Sequence, residues 1–220
     1  MQNKSAHIII IDGSSQSGKK LFGLELAITL MYNNQKTAIL LSNDSPLLQI
    51  INKRKEMHPF LPTPNIIERK NFSQESKNYD AIIIPCITAL DELALNVDTY
   101  ITLLPSSSIR KFQKDIIYIN NIWELKKQIA SQYNKTLNWV ICENNLKEKI
   151  IATPSKELSA MSKLYGFRVS PPINKRSSYL KTLGGISSQD KISDALKNKL
   201  TYEDICAKRE ITKVAEFIFN

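Results

Sequence analysis

The sequence contains few cysteines and few histidines. Its 220 residues include three cysteines and two histidines. Cys86, Cys142 and Cys206 are too widely spaced for a disulfide framework or a zinc-binding pattern. Neither His7 nor His58 has a carboxylate or cysteine cluster at metal-ligand spacing. These absences exclude a small disulfide-stapled fold and predict no metal site built from cysteine or histidine.

Long apolar segments are lacking as well. The first apolar run, residues 8–11, is far too short to span a membrane, and the N-terminus has no hydrophobic region of a secretory signal. Cys86 and Cys142 lie in apolar runs typical of strands, so we expect buried thiols in a reducing compartment. The sequence predicts a cytoplasmic protein with no membrane span.

The arrangements of common catalytic sites are also absent, whereas positive charge is abundant. No nucleophile elbow, paired histidines or cysteine–histidine pattern is visible. The formal net charge is +9 and the pI about 9.4. Such a balance favours a polyanionic partner such as DNA or an acidic membrane surface, although lysine-rich solubility explains the same numbers.

Apolar runs typical of buried parallel strands alternate with helical patterns along the chain. The predicted strands cover residues 7–11, 37–42, 79–87, 98–105, 137–142 and 166–169. The predicted helices cover residues 21–32, 46–55, 122–133 and 154–165, and a last helix starts at the capping-box-like residues 201–204. The rest of residues 45–76 is expected to be irregular. This alternation predicts a single α/β domain over residues 1–220, with helices on a mostly parallel sheet.

The first predicted strand is followed by DGSSQSGKK, residues 12–20. Gly13 and Gly18 are five positions apart and Lys19 follows directly, which is the spacing G-x-x-x-x-G-K. Backbone amides of such a loop bind phosphate at a helix N-terminus, and the lysine neutralises the outer phosphates. A polar turn with glycine and serine for backbone freedom is the alternative. The candidate nucleotide-binding residues are Gly13, Ser14, Ser15, Gln16, Ser17, Gly18, Lys19, Lys20 and Leu21.

Several segments resemble the ParA/MinD family of P-loop ATPases, and within it the MipZ ATPases that position the division plane. The resemblance covers roughly residues 7–190 and is more specific in the C-terminal half than in the loop. The motifs are Trp139-Val140 in a strand that ends at Asn144, Gly166-Phe167-Arg168, and Lys175-Arg176 followed by Tyr179. The resemblance implies a three-layer P-loop NTPase-like fold of the ParA/MinD type.

The resemblance also implies ligands and partners. It implies binding of ATP or ADP, a homodimer formed on ATP, and non-specific DNA binding at the nucleoid. It further implies a ParB-like or division-ring protein partner. In this family the asparagine at the matching strand end contacts adenine, which assigns that role to Asn144; a helix cap or turn is the alternative. Lys175 and Arg176 fall on basic family positions and are the DNA-binding candidates, with a solvated basic face as the alternative.

Departures from the family pattern remove groups that hydrolysis needs. Lys20 stands where a serine or threonine would ligate Mg²⁺, Ser14 where the family has its signature lysine, and Pro85 where the Walker B aspartate is expected. Each lost electrostatic contact typically costs roughly a hundred- to a thousandfold in rate. We therefore expect weak or no ATP hydrolysis, and the same losses count against a bound Mg²⁺. Lys20 could instead place its ammonium near the metal position.

The acidic pair that follows the second strand in the family is missing too. Its positions are Leu41 and Asn43, and Asp44, one residue later, is a weak catalytic candidate. Three interpretations remain open. The first is a nucleotide-binding protein in division-site positioning or chromosome organisation with little or no hydrolysis. The second is a slow ATPase rebuilt around Asp44 and Lys20 that cycles between monomer and dimer. The third is a structural α/β scaffold that binds no nucleotide.

Overall fold

In the described part of the chain, eight parallel strands form one sheet with the first strand near its centre. The computed structural model describes residues 5–13, 17–42, 44–85, 93, 96–105, 109–146, 156–190 and 201–219. The strands are β1 (His7–Gly13), β2 (Thr37–Leu40), β3 (Asn65–Ile67), β4 (Ala81–Pro85), β5 (Thr99–Pro105), β6 (Asn138–Leu146), β7 (Arg168–Val169) and β8 (Ile173–Asn174). Their order is β3-β2-β4-β1-β5-β6-β7, and β8 also pairs with β6. Every pairing between these strands is parallel.

Helices cover both faces of this sheet. They are α1 (Lys19–Tyr32), α2 (Pro46–Met57), α3 (Phe72–Glu75), α4 (Ile109–Tyr133), α5 (Lys156–Tyr165) and α6 (Tyr202–Phe219), with 3₁₀ turns at Arg69–Asn71, Ser76–Asn78 and Ser177–Gly184. Ile9 and Ile11 of β1 pack in a core with α1, α2 and α6, whereas Ile10 packs on the other side with α4 and α5. Because a strand alternates its side chains, β1 is buried on both faces. The predicted three-layer α/β fold is confirmed.

The structure extends and corrects the predicted elements. β6 continues to Leu146, beyond the predicted end at residue 142, and α4 begins at Ile109 rather than at residue 122. The short strands β3 and β8 were not predicted, since three and two residues carry too little periodicity to indicate a strand. Both exist because they pair with longer neighbours, β2 and β6. The start of the predicted helix at 154 and the strand end at 86–87 lie outside the described residues.

The predicted burial of the cysteines and the predicted lack of a membrane span can be compared with the structure. Cys142 is buried, as predicted, and burial raises the pKa of its thiol to about 12. Cys86 lies outside the described residues. Of the helices in the described part of the chain, none combines the length and apolar character needed to cross a membrane.

A buried ion pair joins α2 to the segment that follows the last 3₁₀ turn. Arg54 has 0% exposed surface and its Nη2 lies 2.6 Å from Asp190 Oδ1. The guanidinium also donates to the carbonyl oxygens of Gly185 and Pro62, and Asp190 accepts from the Tyr32 hydroxyl at 3.0 Å. Because each charged group has several partners, the pair satisfies the condition under which buried charges are tolerated. It fastens residues 185–190 over α1 and α2.

Removal of one partner of this pair should destabilise the protein strongly. In Asp190→Ala the Arg54 guanidinium stays buried without its counter-ion, which costs about 3–5 kcal/mol of unfolding free energy. Urea titration followed by circular dichroism measures this loss. The matched control is Glu68→Ala, which breaks the exposed pair between Lys70 and Glu68 and should leave the urea midpoint nearly unchanged. Equal midpoints for the two variants would contradict the assigned role of the buried pair.

Candidate nucleotide-binding site

The loop between β1 and α1 lies at the carboxyl edge of the sheet, where β1 separates β4 from β5. This edge is where open parallel sheets bind ligands, because the chain leaves in opposite directions on the two sides of the central strand. Gly13 ends β1 beside Leu103, and an added Cβ at Gly13 would collide with the Leu103 carbonyl oxygen. Gly18 has φ 81°, a left-handed conformation that favours glycine. Both glycines of the predicted loop are therefore required by the backbone.

The start of α1 has the features of an anion site. Gly18 precedes the helix and has no side chain that could cap the first-turn amides. The first turn contains Lys19 and Lys20 and no acidic residue. Amides and cations at a helix N-terminus favour an anion. Ser14, Ser15 and Gln16, the other predicted loop residues, lie outside the described residues.

The side chains of Lys19 and Ser17 both approach Gly13, at the other end of the loop. Lys19 Nζ donates to the Gly13 carbonyl oxygen at 2.8 Å, so the ammonium bridges the two ends of the loop. Ser17 is 2% exposed, and its hydroxyl finds no hydrogen-bond partner among the described residues. The same hydroxyl oxygen lies only 2.8 Å from where a Cβ on Gly13 would be. A buried hydroxyl of this kind offers a donor and an acceptor to a ligand in the loop.

Asn144 lies against the loop from the end of β6. Its Nδ2 donates to the Ser17 carbonyl oxygen at 2.5 Å and is 3.1 Å from where a Cβ on Gly18 would be. In the structure Asn144 thus supports the loop backbone, a role the sequence did not indicate. Its predicted contact with adenine stays a prediction.

A cavity of about 510 Å³ opens beside Gly18 and Asn144. This volume lies within the range of small-molecule sites, about 300–1,000 Å³. The cavity wall is mostly apolar, with a few polar groups near the loop. Its lining residues are Ser17, Gly18, Leu21, Phe22, Glu25, Asn144, Ile173, Asn174, Lys175, Arg176, Ser177, Tyr179, Leu180 and Ile211. Loop and cavity together have the charge and the room for a nucleoside phosphate.

In the part of this edge that the structure describes, the groups that would bind a divalent metal are missing. Pro85 ends β4 opposite Ile11, at the place of the expected Walker B carboxylate, and Leu41 is buried after β2. The Asp12 carboxylate is already engaged by the Gly13 amide at 2.7 Å and the Tyr100 hydroxyl at 3.0 Å. Among the described residues, no group of three or more histidine, cysteine or acidic side chains could hold a metal. The donor set does not fit Mg²⁺.

Asp44, the weak catalytic candidate, is an exposed residue just before α2. The hydrogen bond from the Ser42 side chain is the largest effect that lowers the pKa of Asp44, and the charge of Lys20 adds to it. Lys20 is therefore near enough to Asp44 for its charge to favour the ionised carboxylate. Asn43, between Ser42 and Asp44, lies outside the described residues.

The two predicted DNA-binding residues have different environments. Lys175 is exposed, whereas the Arg176 guanidinium lies 2.6 Å from Glu210 and 3.3 Å from Glu203, with 9% of its side chain exposed. Hydrogen bonding to Glu210 raises the pKa of Arg176 above its ordinary value. Arg176 therefore holds the β8 segment on α6, and the predicted phosphate contact could fall to Lys175 alone.

Glu25 forms a second buried polar cluster beneath the cavity. It is 1% exposed and accepts hydrogen bonds from Thr182 Oγ1 at 2.5 Å, Ser187 Oγ at 2.9 Å and Ser188 Oγ at 2.6 Å. Burial raises the pKa of Glu25 and outweighs the opposite effect of these hydrogen bonds. The sequence did not point to Glu25, because an acidic residue in an apolar helix gives no sign of which segment it will contact.

The sheet and the loop between β1 and α1 define the class of P-loop NTPase-like proteins. Solved structures share this fold over nearly the whole chain. The MinD cell division protein of Aquifex aeolicus superposes with TM-score 0.60 at 12% identity, over 97% of each chain. Apo McdA of Cyanothece gives TM-score 0.60 at 14% identity, over 98% of this chain and 100% of that one. MinD of Pyrococcus horikoshii, solved with Mg-ADP, gives TM-score 0.58 at 14% identity, over 97% of this chain and 96% of that one.

The sequence itself identifies the family. Residues 68–218 match the model of the family described as ATPase MipZ. The match covers more than half of the chain, which therefore belongs to the MipZ ATPase family, and the predicted resemblance is confirmed. The matched part begins after β3 and leaves out the loop at residues 12–20. Comparison with curated protein sequences gives no significant match.

Stability should depend on pH through Glu25. Between its ordinary pKa of 4.5 and the raised value, the folded protein keeps a proton that the unfolded chain has released. The contribution of this group is therefore complete below 4.5 and is lost as the pH rises through the folded pKa. Glu25→Gln cannot release a proton, so the stability of this variant relative to the wild type should rise with pH over that window.

Urea titrations between about pH 4 and about pH 8 measure this difference. Glu124→Gln is the control, because Glu124 forms an exposed pair with Lys127. Parallel stability curves for the wild type and Glu25→Gln would contradict a raised pKa at this residue.

Proposed function

We propose that this member of the MipZ ATPase family binds a nucleoside di- or triphosphate and acts in division-site positioning or chromosome organisation through binding rather than rapid hydrolysis. The observation that carries the proposal is the loop at Gly18 and Lys19, open to a cavity of about 510 Å³. The shared fold supports it, since MinD of Pyrococcus horikoshii holds Mg-ADP. ATP and ADP are both candidate ligands.

Weak or absent hydrolysis follows from the groups found at the loop. Phosphoryl transfer depends on positioning and on cations that neutralise developing charge. Here Lys20 and Pro85 occupy the positions of a metal-binding hydroxyl and a carboxylate, so two electrostatic contributions are lost together. The slow ATPase rebuilt around Asp44 and Lys20 remains the alternative, supported by the effect of the Lys20 charge on the pKa of Asp44.

Partners are part of the proposal. The Aquifex aeolicus MinD structure has also been solved as a complex with MinC, which supports a protein partner for this fold. For this chain we propose a homodimer and a ParB-like or division-ring partner at the nucleoid in the cytoplasm. The exposed Lys175 and the net charge of +9 support a non-specific DNA contact.

Nucleotide binding should depend on Lys19. Loss of a charge-assisted hydrogen bond costs about 1.5–3 kcal/mol, so Lys19→Ala should weaken ATP and ADP binding about ten- to a hundredfold. Isothermal titration calorimetry measures the affinity, and phosphate release measures hydrolysis. Lys53→Ala, an exposed change on α2, is the control.

The two alternatives give different results in the same experiment. Phosphate release that rises with protein concentration and vanishes in Lys19→Ala would favour the slow ATPase. Absence of ATP and ADP binding to the wild-type protein would favour the structural scaffold.

Lys175 and Arg176 should respond differently to substitution. Lys175→Ala should weaken binding to a non-specific DNA duplex, with no loss of stability. The slope of the logarithm of the binding constant against the logarithm of the salt concentration should decrease in magnitude by about 1. Arg176→Ala should lower the unfolding free energy by about 1.5–3 kcal/mol, because it leaves Glu210 without its cation. Fluorescence anisotropy at several salt concentrations and urea titration measure the two effects. Equal DNA binding by the wild type and Lys175→Ala would remove Lys175 from the contact.

A further inference from the structure

Lys20, which follows the loop lysine Lys19, bears on whether the site takes a metal-free nucleotide or its Mg²⁺ complex. This inference rests on the proposed nucleotide binding. In proteins a divalent cation beside nucleotide phosphates needs oxygen ligands such as hydroxyls and carboxylates. A protonated lysine has three donors and no lone pair, so it cannot be such a ligand. With Lys20 at this position, the start of α1 lacks the serine or threonine hydroxyl that usually ligates Mg²⁺.

The other side chains that the structure describes at this edge do not replace that ligand. Pro85 has no donor atom in its side chain, and both carboxylate oxygens of Asp12 accept bonds from Gly13 and Tyr100. Asp44 is the acidic group near Lys20 on the β2 side, and it is exposed to solvent. One exposed carboxylate next to an ammonium is a poor divalent site, because the ammonium repels the ion.

Lys20 has the charge and the location to act in place of the ion. It follows Lys19 in the first turn of α1, where the helix amides already favour an anion. A lysine ammonium is a compact, strongly hydrated charge that binds phosphate as a point cation. Two successive lysines at the start of one helix would neutralise two phosphate charges without a metal.

We propose that Lys20 is a built-in cation that substitutes for Mg²⁺, so that this protein binds the metal-free form of a nucleoside di- or triphosphate. Lys19 and Lys20 then neutralise the phosphates together, while Gly18 and Ser17 contribute the backbone and hydroxyl groups of the loop. Free Mg²⁺ should not strengthen binding. It competes instead, because it forms a complex with the nucleotide in solution and because Lys20 repels it at the loop.

Calorimetric titration of the full-length protein with ADP, in EDTA and in excess Mg²⁺, tests the proposal. We expect wild-type affinity in EDTA to equal or exceed that in Mg²⁺. Lys20→Gln should bind about ten- to a hundredfold more weakly in EDTA, the loss expected for one charge-assisted hydrogen bond. Lys20→Arg keeps the charge and should retain metal-independent binding. Lys213→Gln, an exposed change on α6, controls for the loss of one positive charge.

Three results would overturn the proposal. The first is wild-type binding that is tenfold or more tighter in Mg²⁺ than in EDTA. The second is Lys20→Gln binding in EDTA with wild-type affinity, provided that circular dichroism and thermal unfolding show both proteins folded. The third is absence of wild-type binding in either buffer, which overturns the proposed nucleotide binding as well. The first two leave that proposed function intact, so the two failures are distinguishable.

Discussion

The burial of β1 between β4 and β5 is the constraint on which the candidate site depends. Ile9, Ile10 and Ile11 have no exposed surface, so β1 can neither shift in register nor rotate without exposing apolar side chains on one face of the sheet. The strand therefore delivers Gly13 to a fixed point beside Leu103. From that point the loop must turn within a few residues into α1, and Gly18 supplies the left-handed conformation that the turn needs.

Three ionisable residues on three helices hold the segment that follows β7 against α1, α2 and α6. Glu25 of α1 accepts hydrogen bonds from residues 182–188, Arg54 of α2 pairs with Asp190, and Glu210 of α6 binds Asn174, Arg176 and Tyr179. Buried charges are costly unless they are paired, so each contact favours one position of the segment over others. Residues 173–177 and 179–180 of this segment form part of the cavity wall. Its shape therefore depends on polar contacts as well as on apolar packing.

The segment that matches the family model and the segment that contains the candidate phosphate loop are different parts of the chain. The MipZ match covers residues 68–218, which contain β4 to β8 and α6, whereas the candidate phosphate loop and Lys20 precede it. Residues 68–218 are therefore the part of the chain that the family model recognises. The N-terminal loop keeps the glycine spacing and the lysine typical of a phosphate-binding loop, whereas Lys20 and Pro85 stand where the family pattern has metal-binding groups.

The sequence alone determined the α/β class, the parallel sheet, the position of the loop between the first strand and the first helix, and the family. These follow from local signals, since apolar runs, glycine spacing and capping residues are read within a few positions of the chain. It did not reveal β3 and β8, the support of the loop by Asn144, the ion pair of Arg176, or the buried Glu25 and Arg54. The side-chain contacts among those features join residues that are far apart in the sequence. The partners are 34 positions apart for Arg176 and Glu210, 127 for Asn144 and Ser17, 136 for Arg54 and Asp190, and 163 for Glu25 and Ser188. Only the tertiary structure decides such contacts, because the free energy of a buried polar group depends on the partner that folding brings to it.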